Sequence, residues 1–385
     1  MNVLLFGAGA SGRGHLTPRM LELSKCRITY IDKDAKLVDT LKGRSFRVIQ
    51  INCNGSKRVC EASGYEIAHN SEQDKINRTF TEADLVLTCV IAENLEDVAG
   101  KIAASIRYLI TEGKNKKFNI VACENLNHAS SYLKTLVYDR LDPETVKYCK
   151  NNIAFPDAII SRVVPVPEDP FNIICEDYNE WYVDANNWIG DPSAVPFINV
   201  SDDLDALLER KLWIHNGGHA TLGYAAWRKK YRYIHEAVRD AEIAEFTGIV
   251  MREIGDCIIH KYGFDTDAIR EYEAELGRRG AIEEMRDEVR RVIRDPIRKL
   301  RIGDRLMGPL VYAYENGFKH DGLIKSVVNV LHYHDPGDAE SAAMKKIIEN
   351  DSVGSFLVHE LKLGAYPELT NKIEEAYENE TRKNN

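Results

Sequence analysis

The stretch NVLLFGAGASGRG, residues 2–14, decides how the rest of the chain is read. A short apolar run leads straight into Gly7, Gly9 and Gly12 in GxGxxG spacing, and a helix-forming segment follows. Between a strand and a helix each glycine has its own task. The first permits the tight turn, the second lets backbone approach a pyrophosphate, and the third allows close packing of the helix, whose N-terminus favours an anion. Asp32 adds to this, because it ends the next strand-like run, RITYID (27–32), at about the 20-residue spacing where a carboxylate accepts hydrogen bonds from an adenosine ribose. That carboxylate would repel a 2′-phosphate, so NAD is expected over NADP, although Lys33 beside it leaves some room for NADP. A glycine turn that binds another nucleotide, or none, is the bland alternative. A P-loop is excluded, since no GKS or GKT follows. The cofactor-binding candidates are Gly7, Gly9, Gly12, Arg13 and Asp32.

Outward from the loop, β-branched runs alternate with helical stretches: SFRVIQIN (45–52), LVLTCVI (85–91), FNIVAC (118–123), NIICED (172–177) and EWYVDA (180–185). Such alternation implies βαβ units and a mostly parallel sheet. From Ser201 onward the pattern turns to long helical periodicity, as in IHEAVRDAEIAEFTGIVMREIGDCIIHKYG (234–263). The expected fold is α/β plus all-α: a Rossmann-type NAD-binding domain over residues 1–195, then a mainly helical substrate-binding domain over residues 196–385. The boundary is expected in IGDPSAVPFINVSDD (189–203), with Ser201 as the N-cap of the following helix. The polar tail YENETRKNN (377–385) reads as frayed.

Composition bounds the function. At 385 residues, 44% hydrophobic and 29% charged, the chain has ordinary soluble globular character and enough length for two cores. A formal net charge of -9 argues against a general nucleic-acid or anionic-membrane surface, so an anionic ligand must be held by a local cluster. The first residues do not read as a signal peptide, and no stretch approaches the ~20 apolar residues of a membrane helix. Eight cysteines lie without a CxxC pair and read as reduced thiols of a cytoplasmic protein, with neither a disulfide frame nor a metal site.

The second chemical signal is KLWIHNGGHATLG, residues 211–223. On an ideal helix Lys211, Asn216 and His219 fall within an arc of about 140°, so one ligand could meet all three. An NAD enzyme oxidising an alcohol needs a base for the hydroxyl proton and donors for the oxygen. A lysine serves as the base if desolvation or a neighbouring positive charge lowers its pKa. Gly217 and Gly218 would then remove side chains where substrate or nicotinamide approaches. The bland reading is a solvated lysine beside an ordinary polar pair, with His215, one turn from both Lys211 and His219, an equal member.

The spacing of lysine, four residues, asparagine, two residues, histidine resembles the signature of the polyol-specific long-chain dehydrogenases, the mannitol dehydrogenase family. Further matches are FGAGASGRG at the start, ACENL around Asn125, FPDAIISRVVP from Phe155, EWYVD from Glu180, KYGFD from Lys261 and RKLRIGDRL from Arg298. The resemblance runs over nearly the whole chain. It implies a Rossmann-type domain, a helical domain, a site in the cleft between them and metal-free chemistry. Lys211 then corresponds to the catalytic lysine, Asn216 and Asn125 to the amides that hold the reacting oxygen, and His219 to the histidine that orients substrate. His215 lies outside the signature. A monomer or a homodimer is compatible with the family.

The implied reaction interconverts a sugar alcohol phosphate and a ketose phosphate, with mannitol 1-phosphate and fructose 6-phosphate the first pair. Two departures bear on substrate. ACEN is followed by LNHASS where an arginine-glycine pair is usual, and LGR by RGAIEEMRDEV where an Asn-Pro segment is usual. Arg13, Arg278 and Arg279 could hold a phosphate, or could make ordinary ion pairs. The alternatives are an oxidoreductase of hexuronates (tagaturonate or fructuronate) or free polyols, and an NAD-sensing protein without catalysis.

Overall fold

The computed structural model describes residues 1–23 and 25–384. The chain divides into two units, Met1–Leu207 and Leu208–Asn385. In the first, a six-stranded sheet is formed by β1 (Asn2–Phe6), β2 (Arg27–Asp32), β3 (Glu66–His69), β4 (Leu85–Thr88), β5 (Phe118–Ala122) and β6 (Ile153–Ala154). Every pairing is parallel, and the spatial order is β3-β2-β1-β4-β5-β6. This is the strand order of a dinucleotide-binding sheet, in which the order of strand addition reverses between β1 and β4. β1 reads as an unbroken apolar run because both its faces are covered. Val3 and Leu5 pack into one core cluster with Leu16, Met20 and Val38, and Leu4 and Phe6 into another with Ile76, Phe80 and Ile102.

Two further sheets depart from the single, mostly parallel sheet expected. Phe46–Ile51 pairs antiparallel with Lys57–Ala62 and parallel with Asn172–Glu176, while Glu180–Asp184 pairs antiparallel with Ala158–Ser161 and parallel with Asn199–Ser201. The turn between Ile51 and Lys57, with Gly55 at φ +82°, is too short for a parallel crossover, so a hairpin forms. Ser201 ends a strand and does not cap the next helix. That role falls to Asp203, whose carboxylate accepts from the Ala206 N–H at 3.0 Å.

The second unit is helical around one large core. Its frame includes α1 (Gly217–Arg228), α2 (Ala241–Tyr262), α3 (Thr266–Gly280), α4 (Met307–Glu315) and α5 (Asp321–Leu331). Asp240 and Asp265 cap α2 and α3 by accepting backbone N–H bonds. The buried Glu253 on α2 accepts from the Gly322 and Leu323 N–H groups, so one helix satisfies the orphan donors of another. Of the tail expected to fray, residues 377–384 belong instead to helix Pro367–Asn384, tied down where Arg228 donates to Glu380; Asn385 lies outside the described residues. No helix among the described residues is long and apolar enough to cross a membrane.

Candidate active site

The glycine loop meets the demands its spacing implied. Gly7 has φ +105°, and a Cβ there would collide with the Cys89 carbonyl oxygen; a Cβ at Gly12 would collide with the carbonyl of Gly7. The third glycine therefore lets the helix start press on the first. Around Gly9 nothing lies within 4 Å of a Cβ position, so this part of the loop is open to a ligand. Asp32 Oδ2 accepts from the Ala8 N–H at 2.7 Å and Oδ1 from the Asp34 N–H at 2.9 Å, which fixes the carboxylate against the loop. Each oxygen keeps a further lone pair for a ribose hydroxyl. Lys33 Nζ donates to Asn94 Oδ1 at 2.8 Å. This open loop with its carboxylate fits a dinucleotide of the NAD type.

Arg13 is placed differently from these residues. It is 2% exposed, its Nε donates to the Ala8 carbonyl at 2.6 Å, its Nη1 donates to the Pro170 carbonyl, and its guanidinium lies 5.3 Å from the Phe46 ring centroid. Two of its donors are held by these carbonyls, one of them on the loop itself, so the guanidinium braces the loop from within the protein. Asn125 lies exposed just beyond the carboxyl end of β5. Its neighbour Glu124 is buried and accepts from Thr88 and Val90 on the adjoining strand end.

In the second unit the stretch 211–228 is not the ideal helix assumed. Lys211–Asn216 is a π-helical turn that passes into α1. Bonding from i to i+5 stacks residues five apart, so Lys211 and Asn216 come closer to one line than the 100° spacing allows, and such turns recur at functional sites. Gly217 and Gly218 do not make room for a ligand. A Cβ at Gly217 would lie 2.6 Å from the Arg305 carbonyl oxygen, and one at Gly218 would lie 2.7 Å from Leu276 and 2.9 Å from Met251. Both positions are filled by neighbouring protein, and the glycines permit close packing of α1 on α2, α3 and the chain before α4.

His219 is held by an acid. Its Nε2 lies 3.2 Å from Asp287 Oδ2, and Arg291 donates to both oxygens of that carboxylate at 2.6 and 2.8 Å. Burial alone would raise the Asp287 carboxyl, but the bonds from His219 and Arg291 outweigh it and hold the group well below the usual carboxylate range. The His215 ring sits 6.1 Å from that of His219, and Arg279 Nη1 lies 3.4 Å from His215 Nδ1. Burial, followed by the electrostatic effect of Arg279 and then of His219, Lys211 and Arg305, holds His215 well below its ordinary value, so it is neutral with Nδ1 turned to the guanidinium. Of the three phosphate candidates, Arg13 is enclosed and Arg278 pairs at the surface with Glu271 and Glu275. Only Arg279 stands in this cluster.

His215, Asp287, Arg305 and Glu124 were not assigned roles from sequence. His215 had a visible signal in its spacing of four from both Lys211 and His219. Asp287 and Arg305 lay within stretches the sequence singled out, RGAIEEMRDEV and RKLRIGDRL, but only the tertiary fold brings them to the helix. Among the described residues no group of three or more His, Cys, Asp or Glu could hold a metal ion.

Comparison with known proteins agrees over both units. The family model described as the mannitol dehydrogenase Rossmann domain matches residues 1–194, and that of the mannitol dehydrogenase C-terminal domain matches residues 203–380. A mannitol-1-phosphate 5-dehydrogenase of Lactiplantibacillus plantarum is 28% identical over 375 residues, 97% of each chain. Among solved structures, a Pseudomonas fluorescens mannitol 2-dehydrogenase ternary complex with NAD and D-mannitol superposes with TM-score 0.75 at 17% identity, covering 98% of this chain and 91% of that one. A D-sorbitol dehydrogenase in substrate-free form gives TM-score 0.79 at 16% identity, covering 98% and 92%. These two likenesses concern the fold. Together with the local geometry, the two family models establish that the chain belongs to the mannitol dehydrogenase family.

Proposed function

We propose that the chain interconverts a sugar alcohol phosphate and a ketose phosphate, mannitol 1-phosphate and fructose 6-phosphate first, with Lys211 as the general acid and base. Family membership makes it an NAD-dependent oxidoreductase acting on CH–OH groups of polyols. Gly7, Gly9, Gly12 and Asp32 would hold NAD, which when bound accepts or returns the reducing equivalents. The Lys211 amine takes the hydroxyl proton as the alcohol becomes a carbonyl and returns it in the opposite direction. The amides of Asn216 and Asn125 hold the reacting oxygen, and His219, fixed by Asp287, orients a neighbouring hydroxyl.

The observation that carries the phosphate reading is Arg279 set against His215, one ring away from His219, with Lys211 and Arg305 acting electrostatically on the same ring. His219 there is paired with Asp287 and Arg305 with Asp304, so in a chain of net charge -9 the support for an anionic substrate comes from Arg279 and Lys211. The same cluster suits a carboxylate, which keeps a hexuronate as the second reading. Following NADH absorbance with fructose 6-phosphate, fructose, tagaturonate and fructuronate separates them. We expect kcat/KM for fructose 6-phosphate to exceed that for fructose by about 100-fold or more, since charge-assisted contacts carry such differences. Faster turnover of either uronate would overturn the phosphate assignment.

A further inference from the structure

Glu124 lies two residues beyond the end of β5 and has no task in the chemistry above. It is 6% exposed, Thr88 Oγ1 lies 2.8 and 2.9 Å from its two oxygens, and the Val90 N–H donates to Oε1 at 3.0 Å. Both donor residues belong to the carboxyl end of β4 and the residues just after it. The Cys89 N–H between them donates to the Phe6 carbonyl, and the Cys89 carbonyl is what a Cβ at Gly7 would strike. Glu124 therefore lies at the carboxyl ends of β4 and β5, beside the switch point of the sheet. Sheets of this order are two mononucleotide-binding halves. The half built on β1–β3 carries the glycine loop and Asp32 and takes the adenosine, which leaves the half built on β4–β6 for the nicotinamide.

The nicotinamide ring is positively charged when oxidised and uncharged when reduced. We infer that Glu124 sets the relative affinity of this chain for NAD+ and NADH: its carboxylate favours the oxidised ring, and its protonated form does not discriminate. The inference rests on the NAD reading of the loop. Burial, only partly offset by the Val90 N–H and the Thr88 hydroxyl, pushes the Glu124 carboxyl up to about 7, so its charge changes within the working range. The titratable groups coupled to it are the thiols of Cys89 and Cys123, which burial and Glu124 itself push up, leaving them uncharged.

The test measures Kd for NAD+ and NADH separately, by calorimetry and by NADH fluorescence, on the full chain from about pH 6 to about pH 9. In the unsubstituted chain the ratio Kd(NAD+)/Kd(NADH) should fall about tenfold as pH rises and the carboxyl ionises. Glu124→Gln should hold the low-pH ratio throughout. Thr88→Val, which removes a bond favouring the charged form, should move the inflection to higher pH. The inference is overturned if both forms bind with a ratio flat in pH, or if Glu124→Gln reproduces the original slope. Should Glu124→Gln fail to fold, an unmoved inflection in Thr88→Val overturns it instead. If neither cofactor form binds, the NAD reading itself fails and takes this inference with it.

Discussion

The glycines of residues 7–12 and those at 217–218 invite the same reading and have different causes. At Gly7 a positive φ and the Cys89 carbonyl exclude any side chain, while Gly9 faces open space, so one loop holds both a structural glycine and one left free for a ligand. At Gly217 and Gly218 the space is already taken by the Arg305 carbonyl, Leu276 and Met251. Glycine in a turn with fixed spacing thus points to a ligand far better than glycine within a helix, where close packing of a second element explains it equally. The chemistry of the second region resides in the side chains around its glycines.

The largest expected effect falls on that chemistry. Lys211→Ala should lower turnover by roughly 100-fold or more with NADH affinity nearly unchanged, since general-base groups contribute about that much. Oxidation should quicken as pH rises, because only the neutral amine accepts the proton, and reduction should favour the ammonium form at lower pH. Steady-state pH profiles in both directions measure this. Asn216→Ala should also slow turnover while keeping the inflection, since it removes a hydrogen bond and no titrating group. If Lys211→Ala kept near-normal turnover and the same inflection, the site would have to be rebuilt around His219.

Gly7→Ala against Gly9→Ala tests the first region. The Gly7 substitution forces both a disfavoured φ and a clash with backbone, which together should destabilise the fold by about 2–4 kcal/mol and weaken NADH binding. Thermal unfolding should register the stability loss. Gly9→Ala should leave the melting temperature within a few degrees and affect only NADH binding, since nothing in the protein opposes its Cβ. Equal stability losses would erase the distinction between the two glycines.

These contrasts also mark what the sequence could and could not carry. β1, the loop and Asp32 were legible because the turn and the carboxylate are tied together by local spacing, and the apolar run of β1 reflects cover on both faces. The two small sheets were not, because a strand-like run says nothing about whether its partner is reached by a hairpin or by a crossover. Ser201 and Asp203 are both acceptable caps, and only the length of strand Asn199–Ser201 decides between them. The π-turn at Lys211–Asn216 had no compositional mark. Nor did the inward course of Arg13, whose acceptors are the carbonyls of Ala8 and the sequence-distant Pro170.

Asp32→Ala should weaken NAD binding by about tenfold and relax discrimination against NADP, the loss of a charge-assisted ribose contact being of that order. Binding titrations with NAD and NADP separate the two effects. Because Asp32 also accepts the Ala8 N–H, Asp32→Asn, which keeps an acceptor for that bond, distinguishes a disturbed loop from lost recognition. If the unsubstituted chain used NADP as readily as NAD, the role assigned to this carboxylate would be wrong.

The smallest effect, and the sharpest contrast within one region, is between two adjacent arginines on α3. Arg278 lies at the surface with a side chain 40% exposed, paired with Glu275 and Glu271. Exposed pairs contribute about 0–1 kcal/mol, because water already solvates both charges and the long side chains lose rotamer freedom. Arg278→Ala should therefore leave KM for every substrate unchanged and shift the melting temperature by only a few degrees. Arg279 is 6% exposed with its guanidinium against His215, and under the phosphate reading its removal should raise KM for fructose 6-phosphate about tenfold while sparing fructose. It should also free His215 of the charge that, after burial, lowers it most, so that this ring takes up a proton at higher pH than before, which NMR titration of the histidines follows. Equal effects of the two substitutions on KM would mean that the cluster around His215 serves packing alone and that the anion of the substrate is held elsewhere.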